Sequence, residues 1–277
     1  MPMSRRAALQ LGILGAAGSA IAGARASEIH LAIKYHMIQT EGSVLKKFEL
    51  LKRIGVHGVE ITVKEEPLLG ELMRASARTG VRIHGVVHGT SDAYHKAIDL
   101  CDEVGGTSVL IVTRAQPELS YGENFKLMHH HIRMALAYAE KKGVLLLVEN
   151  VKGSFFRQAE EFARFIDSLD SPYVGAYFDT GNAITWSDQP AEHWMRVLGT
   201  RIVKLDIKDR GHRFFGDAAL ASADAVGTDG GEVHWENVRA ELARLKFSGW
   251  ATAEVKGGDA EHLGQMVRWM QQILALA

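Results

Sequence analysis

The chain has 277 residues, of which 47% are hydrophobic and 23% are charged, a composition typical of one large folded domain or two smaller ones. The formal net charge of −1 leaves no basic excess of the kind that nucleic-acid binding requires. The single cysteine, Cys101, excludes an internal disulfide and a cysteine-cluster metal site. No apolar run reaches the roughly 20 residues of a membrane-spanning helix, so none is expected in the mature protein.

Residues 1–26 have the features of an export signal. Arg5 and Arg6 precede a short Gly/Ala-rich apolar stretch that closes on an A-x-A cleavage pattern ending at Ala26. Paired arginines in this position resemble a bacterial twin-arginine signal, which exports folded proteins. We therefore predict a twin-arginine signal peptide over 1–26, a periplasmic or exported location, and a mature domain over 27–277. An amphipathic N-terminal helix is the alternative.

After this segment, apolar runs rich in strand-forming residues alternate with segments of helical spacing. The eight runs are IHLAIKY, GVEIT, VRIHGVVHG, TSVLIVT, VLLLVEN, VGAYFDT, RIVKLDIKD and GWATAEV. Because strand–helix alternation is typical of a parallel sheet, eight such units predict an α/β protein, a single-domain (β/α)8 TIM barrel. An open doubly wound sheet is the alternative, but the glycine-rich phosphate fingerprint expected after its first strand is missing.

One connection is much longer than the others. It covers about 25 residues, roughly 209–233, and follows the seventh predicted strand. A loop of this length in a compact domain is usually functional or mobile. In a barrel it would lie at the catalytic face.

Ionisable side chains recur where the predicted strands end, and in a parallel barrel these ends meet at the active-site face. The residues are Glu60, His88, Glu149, Asp179, Asp206 and Glu254. Buried carboxylates that converge repel one another unless a cation holds them. The pattern therefore predicts a divalent metal on oxygen ligands, Mn²⁺ or Mg²⁺ in preference to Zn²⁺. A network neutralised by lysines is the alternative.

The seventh predicted strand places Lys204, Asp206 and Lys208 on one face, because alternate residues of a strand share a face. Two hypotheses follow. Either Asp206 faces a metal and the lysines offset the surplus negative charge, or Lys204 and Asp206 pair with each other and no metal is bound.

Five segments have a recognisable order and spacing: GVHGVEI (55–61), VENV (148–151), YFDTGN (177–182), IVKLDIKD (202–209) and GWATAEV (249–255). They resemble the sugar phosphate isomerase/epimerase superfamily, the xylose-isomerase-like TIM barrels, which include hydroxypyruvate isomerase and ketose 3-epimerases. The resemblance covers essentially all of 28–277.

The resemblance implies a site. Its metal ligands would be Glu149, Asp179, Asp206 and Glu254, with Asp206 standing where the family usually has histidine. Glu149 and Glu254 would be the catalytic pair that moves a proton on and off the carbon beside a carbonyl.

Four further residues are assigned to substrate. Glu60 and His88 would bind sugar hydroxyls, whereas Lys208 and Arg210 would stabilise an enediolate or a substrate anion. A salt bridge at the rim is the alternative for both cations.

The leading expectation is a metal-dependent isomerase or epimerase of a non-phosphorylated sugar or keto-sugar. Predicted export argues against a phosphorylated substrate, since sugar phosphates are mostly cytoplasmic. One alternative is a lyase or hydrolase acting on an oxidised (3-keto) glycoside at the same site. The other is a non-catalytic sugar-binding barrel that has lost its metal. The expected partner is a small carbohydrate and not a nucleic acid; homo-oligomerisation is left open.

Overall fold

The structure is a computed structural model, and it describes residues 28–88, 94–212, 214 and 231–276. The predicted signal peptide over 1–26 lies outside the described residues, as do positions 213 and 215–230 of the long connection. Among the residues that are described, no helix has both the length and the apolar character needed to cross a membrane.

The strands close into a parallel barrel in chain order, and β8 pairs with β1 to complete it. They are β1 (Ile29–Lys34), β2 (Gly58–Thr62), β3 (Arg82–His88), β4 (Ser108–Val112), β5 (Leu145–Glu149), β6 (Val174–Asp179), β7 (Ile202–Ile207) and β8 (Gly249–Ala253). This arrangement confirms the predicted (β/α)8 barrel.

Helices cover the outside of the barrel and connect successive strands. They are α1 (Val44–Arg53), α2 (Leu69–Thr79), α3 (Tyr94–Glu103), α4 (Tyr121–Lys142), α5 (Ala159–Ser168), α6 (Thr180–Trp186), α7 (Ala191–Leu198), α8 (Trp235–Leu245) and α9 (Ala260–Leu274). Short 3-10 turns occupy Tyr35–Met37, Val63–Leu68 and Gly199–Arg201.

Local sequence explains several helix ends. Ser120 accepts a hydrogen bond from the Glu123 amide and the Glu123 carboxylate accepts from the Ser120 amide, a reciprocal cap that starts α4. Gly80 and Gly143 end α2 and α4 at φ of 78° and 70°, a left-handed conformation that glycine adopts without strain. The chain therefore turns directly into β3 and β5.

The main apolar core lies between the barrel and the helices, where side chains such as Phe48, Phe162 and Phe165 are fully buried. Alternate residues of each strand face the inside of the barrel. On β5 this inward row runs from Leu145 through Leu147 to Glu149, so it changes from apolar to acidic as the strand ends. The fold thus directs charged side chains to the carboxyl end of the barrel.

Candidate functional site

Four carboxylates meet at this end of the barrel. Glu149 and Asp179 are the last residues of β5 and β6, Asp206 is the penultimate residue of β7, and Glu254 directly follows β8. One carboxylate oxygen of each lies within 4.8 Å of the others. The first three side chains are buried, and 31% of the Glu254 side chain is exposed. The structure therefore brings together all four residues that the sequence analysis assigned to a metal.

Two lysines enter this acidic cluster. Lys34 Nζ lies 3.0 Å from Asp206 Oδ2 and 3.1 Å from Glu254 Oε1. Lys208 Nζ lies 2.8 Å from Asp179 Oδ2 and 2.7 Å from Glu254 Oε2. Glu254 thus joins two ammonium groups, one through each carboxylate oxygen, and Lys208 lies inside the cluster instead of in a salt bridge at the rim.

The sequence analysis did not select Lys34. Its position in the sequence was the available signal, because Lys34 is the last residue of β1 and strand ends form the active-site face of a parallel barrel. A lysine at the end of an otherwise apolar strand is as costly to bury as a carboxylate unless it is paired. A lysine at a strand end is therefore as informative a signal as an acid there.

Asn182 was also missed, although it ends the YFDTGN segment. Its side-chain amide donates a 3.0 Å hydrogen bond to Glu149 Oε1, and its backbone N–H donates a 2.7 Å bond to Asp179 Oδ1. Asp179 is therefore the N-terminal cap of α6 as well as a member of the acidic cluster. Asn150 exchanges two 2.8 Å hydrogen bonds with the Asp179 backbone. These contacts fix the positions of Glu149 and Asp179 relative to each other.

The environment separates the acidities of the carboxyl groups. Burial, supported by the charge of Glu254, raises the pKa of Glu149 to about 8. Burial also raises the pKa of Asp179 to about 7, although Lys208 opposes it. At Glu254 burial acts in the same direction, but Lys34 and Lys208 outweigh it and hold the pKa well below its usual range. In the metal-free protein, Glu254 is therefore ionised at neutral pH while Glu149 keeps its proton.

Lys204 does not pair with Asp206, so the second hypothesis for β7 is wrong about the partner. Lys204 Nζ lies 2.9 Å from His84 Nδ1 and donates a 2.8 Å hydrogen bond to the His84 carbonyl oxygen. Burial lowers the pKa of Lys204 to about 8. Gly85 leaves room for this contact, since a Cβ there would lie 3.1 Å from Lys204 Nζ and 3.0 Å from Glu60 Oε1.

The other residues assigned to substrate occupy three different settings. Glu60 is buried two positions before the end of β2, with Oε2 4.0 Å from Lys34 Nζ. His88 is buried at the end of β3 and packs edge-on against Tyr94 at 5.0 Å. Arg210 is half-buried, and its Nε donates a 2.8 Å hydrogen bond to Glu232. Arg210 is thus in a rim salt bridge, and the binding roles of all three stay predictions.

The donor set fits a divalent cation. Oxygen atoms of carboxylates are the ligands of hard ions such as Mg²⁺ and Mn²⁺. Asp206 Oδ1 is buried and accepts no hydrogen bond from the described residues, so one oxygen in the cluster lacks a donor. With every carboxylate ionised, as ligation of a cation requires, Glu60 brings the carboxylates to five, and the three ammonium groups of Lys34, Lys204 and Lys208 leave a formal charge of −2. A single divalent ion would balance this charge.

Solved structures share the fold. The chain has a TM-score of 0.72 and 15% identity with the apo form of 3-keto-D-glucoside 4-epimerase, YcjR, from E. coli, covering 89% of this chain and 99% of that one. With D-allulose 3-epimerase from Methylomonas sp. in complex with D-allulose, the TM-score is 0.71 and the identity 16%, covering 89% of this chain and 97% of that one. With the IOLI protein with a zinc atom, the TM-score is 0.70 and the identity 15%, covering 89% of this chain and 98% of that one. At these identities the similarity establishes the fold alone.

Sequence comparison gives the family. No curated protein matches the chain. The sequence profile described as xylose isomerase-like TIM barrel matches residues 48–273, which is most of the chain and includes every residue of the acidic cluster. The chain therefore belongs to the xylose isomerase-like TIM barrel family, as its resemblance in sequence implied.

Proposed function

We propose that the protein is a metal-dependent isomerase or epimerase of a non-phosphorylated sugar or keto-sugar, which moves a proton beside a carbonyl between Glu149 and Glu254. One observation carries this proposal. The two glutamates come from strands separated by β6 and β7, yet their carboxylates approach each other and two aspartates within 4.8 Å at the barrel mouth. Membership of the xylose isomerase-like family and the fold shared with sugar epimerases support it.

A divalent ion would be held by Glu149, Asp179, Asp206 and Glu254. When bound, it would act as a Lewis acid that polarises the carbonyl and hydroxyl oxygens of the sugar. The all-oxygen donor set favours Mn²⁺ or Mg²⁺ over Zn²⁺, although the IOLI protein of the same fold contains zinc.

The protein's own side chains account for the proton transfer. One glutamate removes the proton from the carbon beside the carbonyl, and the electron pair of that C–H bond moves toward the carbonyl oxygen. The other glutamate returns a proton to the opposite face of the same carbon, giving an epimer. In the isomer, the proton goes instead to the former carbonyl carbon, the hydroxyl on the first carbon becomes the new carbonyl, and the proton of that hydroxyl passes to the former carbonyl oxygen. Asn182 holds Glu149 in place. The Lys208 ammonium group lies 2.7 Å from Glu254 Oε2, beside the proposed position of the sugar, and would stabilise the substrate carbonyl oxygen as it gains negative charge.

Two observations support the proposed substrate class. 3-Keto-D-glucoside 4-epimerase and D-allulose 3-epimerase, which share this fold, are named for sugars that carry a carbonyl. The paired arginines at Arg5 and Arg6 support export to the periplasm, where sugar phosphates are scarce. We therefore propose a free sugar or keto-sugar, with Glu60 and His88 near its hydroxyl groups and Arg210 near an enediolate or a substrate anion.

A lyase acting on a 3-keto glycoside is the second candidate. It is favoured by the shared fold with a 3-keto-D-glucoside 4-epimerase. One of the two glutamates, Glu149 or Glu254, would again remove the proton beside the carbonyl. The C–O bond to the glycosidic oxygen would then break. The electron pair would leave with that oxygen, which takes up a proton and departs as an alcohol, and a carbon–carbon double bond would form in the ring.

Solvent deuterium exchange tests the proposal. The protein lacking residues 1–26 is stripped with EDTA, loaded with Mn²⁺, and incubated in D₂O with ketohexoses and a 3-keto-glucoside while NMR follows the carbon beside the carbonyl. Deuterium in an epimerised or isomerised product supports the proposal, and an unsaturated sugar with a released alcohol supports the lyase. Sugar binding without exchange would overturn both and support a non-catalytic sugar-binding barrel.

A further inference from the structure

The position of Lys34 has consequences for the affinity of the metal site. Its side chain is 4% exposed, and its ammonium group contacts two of the four candidate ligands, Asp206 at 3.0 Å and Glu254 at 3.1 Å. Glu60 lies 4.0 Å away on the adjacent strand. Lys34 is therefore surrounded by carboxylates on three different parts of the barrel wall.

These contacts keep Lys34 a cation. Burial alone would lower its pKa, but the charges of Asp206, Glu254 and Glu60 outweigh burial and raise the pKa well above its usual range. A lysine in this state is a poor nucleophile, so the contacts do not favour a covalent Schiff base. They favour a fixed positive charge.

Lys34 occupies one oxygen of Asp206 and leaves the other without a hydrogen bond from the described residues. The carboxylate is thus held from the β1 side while Oδ1 stays available. A positive charge within a few ångströms of a divalent ion repels it by several kcal/mol even at an effective dielectric constant of ~20. The same group can therefore orient a ligand and weaken the binding of the ion.

We propose that Lys34 is a charge-setting residue of the metal site: its ammonium group orients Asp206 and Glu254 and limits the affinity of the four carboxylates for a divalent cation. The inference rests on the metal site of the proposed function. It makes Lys34 a positioning residue, because it acts through Asp206 and Glu254. Four carboxylates without such a counter-charge would hold a divalent ion much more tightly.

Isothermal titration of the EDTA-treated protein with Mn²⁺ tests this inference. Lys34→Met removes the charge and keeps most of the side-chain volume, and we expect it to bind Mn²⁺ at least about tenfold more tightly than the natural chain. The metal-free variant should also melt at a lower temperature and gain more from saturating Mn²⁺. If Lys34→Met does not fold, Lys34→Gln is titrated with Mn²⁺ in its place.

Lys204→Met is the matched control. Lys204 is also a buried lysine inside the barrel, but its ammonium group bonds to His84. The effect of Lys204→Met on the Kd for Mn²⁺ should be much smaller. Equal tightening in both variants would overturn the inference, since the cause would then be the overall charge of the barrel.

The outcomes separate this inference from the proposed function. If the natural chain binds Mn²⁺ and Lys34→Met binds it no more tightly, the inference fails and the proposed function stands. If only Lys34→Met binds Mn²⁺, the inference is supported and a metal-dependent natural enzyme is overturned. If neither binds, both fail.

Discussion

Lys34 on β1 donates a 3.0 Å hydrogen bond to Oδ2 of Asp206 on β7, and so joins two buried residues that are 172 positions apart in the chain. Both are at or near the ends of their strands, on opposite sides of β8 in the closed barrel. Lysine and aspartate carry opposite formal charges, which offset each other at this distance. Removing the charge of either residue would therefore leave the charge of the other buried without this partner.

Replacement of Asp206 by histidine should show this dependence. Asp206→His leaves Lys34 beside a neutral ring, and loss of one partner of a buried pair costs about 3–5 kcal/mol, less where Glu254 still compensates. Thermal unfolding in EDTA should give a lower Tm for Asp206→His. Part of that loss should be recovered in the double variant Lys34→Met/Asp206→His.

The double variant also supplies the control, because two independent sites would have additive effects. Additive losses in Tm would show that Lys34 and Asp206 are not energetically coupled.

The two glutamates should be required for proton transfer. Glu149→Gln and Glu254→Gln keep the side-chain shape but cannot carry a proton, so each should reduce deuterium exchange about 100-fold or more at saturating Mn²⁺. Glu192→Gln is the matched control, since Glu192 is a buried glutamate on α7 that bonds to Asn237. Exchange that survives in either site variant would remove that glutamate from the mechanism.

The metal-free protein should lose stability as the pH rises from about 7 to about 8. Burial raises the pKa of Glu149 to about 8 from 4.5 and that of Asp179 to about 7 from 3.8. Within this range the folded state retains protons that the unfolded state has released, so a higher pH favours unfolding. Glu254, with its lowered pKa, is ionised in both states and contributes nothing here.

The pH range is chosen to avoid the histidines, because above about pH 7 those with a lowered pKa, such as His84, are mostly neutral in both states. Burial lowers the pKa of Lys204 to about 8, so Lys204 releases its proton in the folded state near the upper end of the range and offsets part of the fall caused by Glu149 and Asp179. Differential scanning fluorimetry in EDTA should show a Tm several degrees lower at the higher pH. Saturating Mn²⁺ should abolish this fall, since the ion keeps its ligands ionised in the folded state; a Tm in EDTA that rises with pH would contradict the assignment.

Gly85 should be intolerant of a side chain. A Cβ at this position would lie 3.0 Å from both Glu60 Oε1 and the Ser108 carbonyl oxygen, and 3.1 Å from Lys204 Nζ. Gly85→Ala should therefore destabilise the protein by about 1–3 kcal/mol in urea unfolding. Gly122→Ala on α4 is the control, because its Cβ meets no atom within 4 Å. It should stabilise by up to about 1 kcal/mol; equal effects in the two variants would refute the packing argument.

The barrel and the members of its acidic cluster could both be predicted from the amino-acid sequence. Strand–helix alternation identified the eight strands, and the rule that active sites lie at strand ends selected Glu60, Glu149, Asp179, Asp206 and Glu254 from a chain with 33 acidic residues. The family resemblance then assigned the last four of these to a metal. Both inferences depend on local patterns, the period of apolar residues and the position of an acid relative to a strand end. Such patterns can be read without knowing which strands are neighbours.

The partners of the charged residues, in contrast, depend on the tertiary structure. The spacing on β7 suggested a Lys204–Asp206 pair, yet Lys204 reaches His84 on β3 and Asp206 receives its hydrogen bond from Lys34 on β1. Alternation within a strand shows which residues share a face, but closure of the barrel brings distant strands together around its interior. Charges inside a closed barrel pair across that space, because the low dielectric makes any unpaired charge costly and the nearest opposite charge lies on another strand.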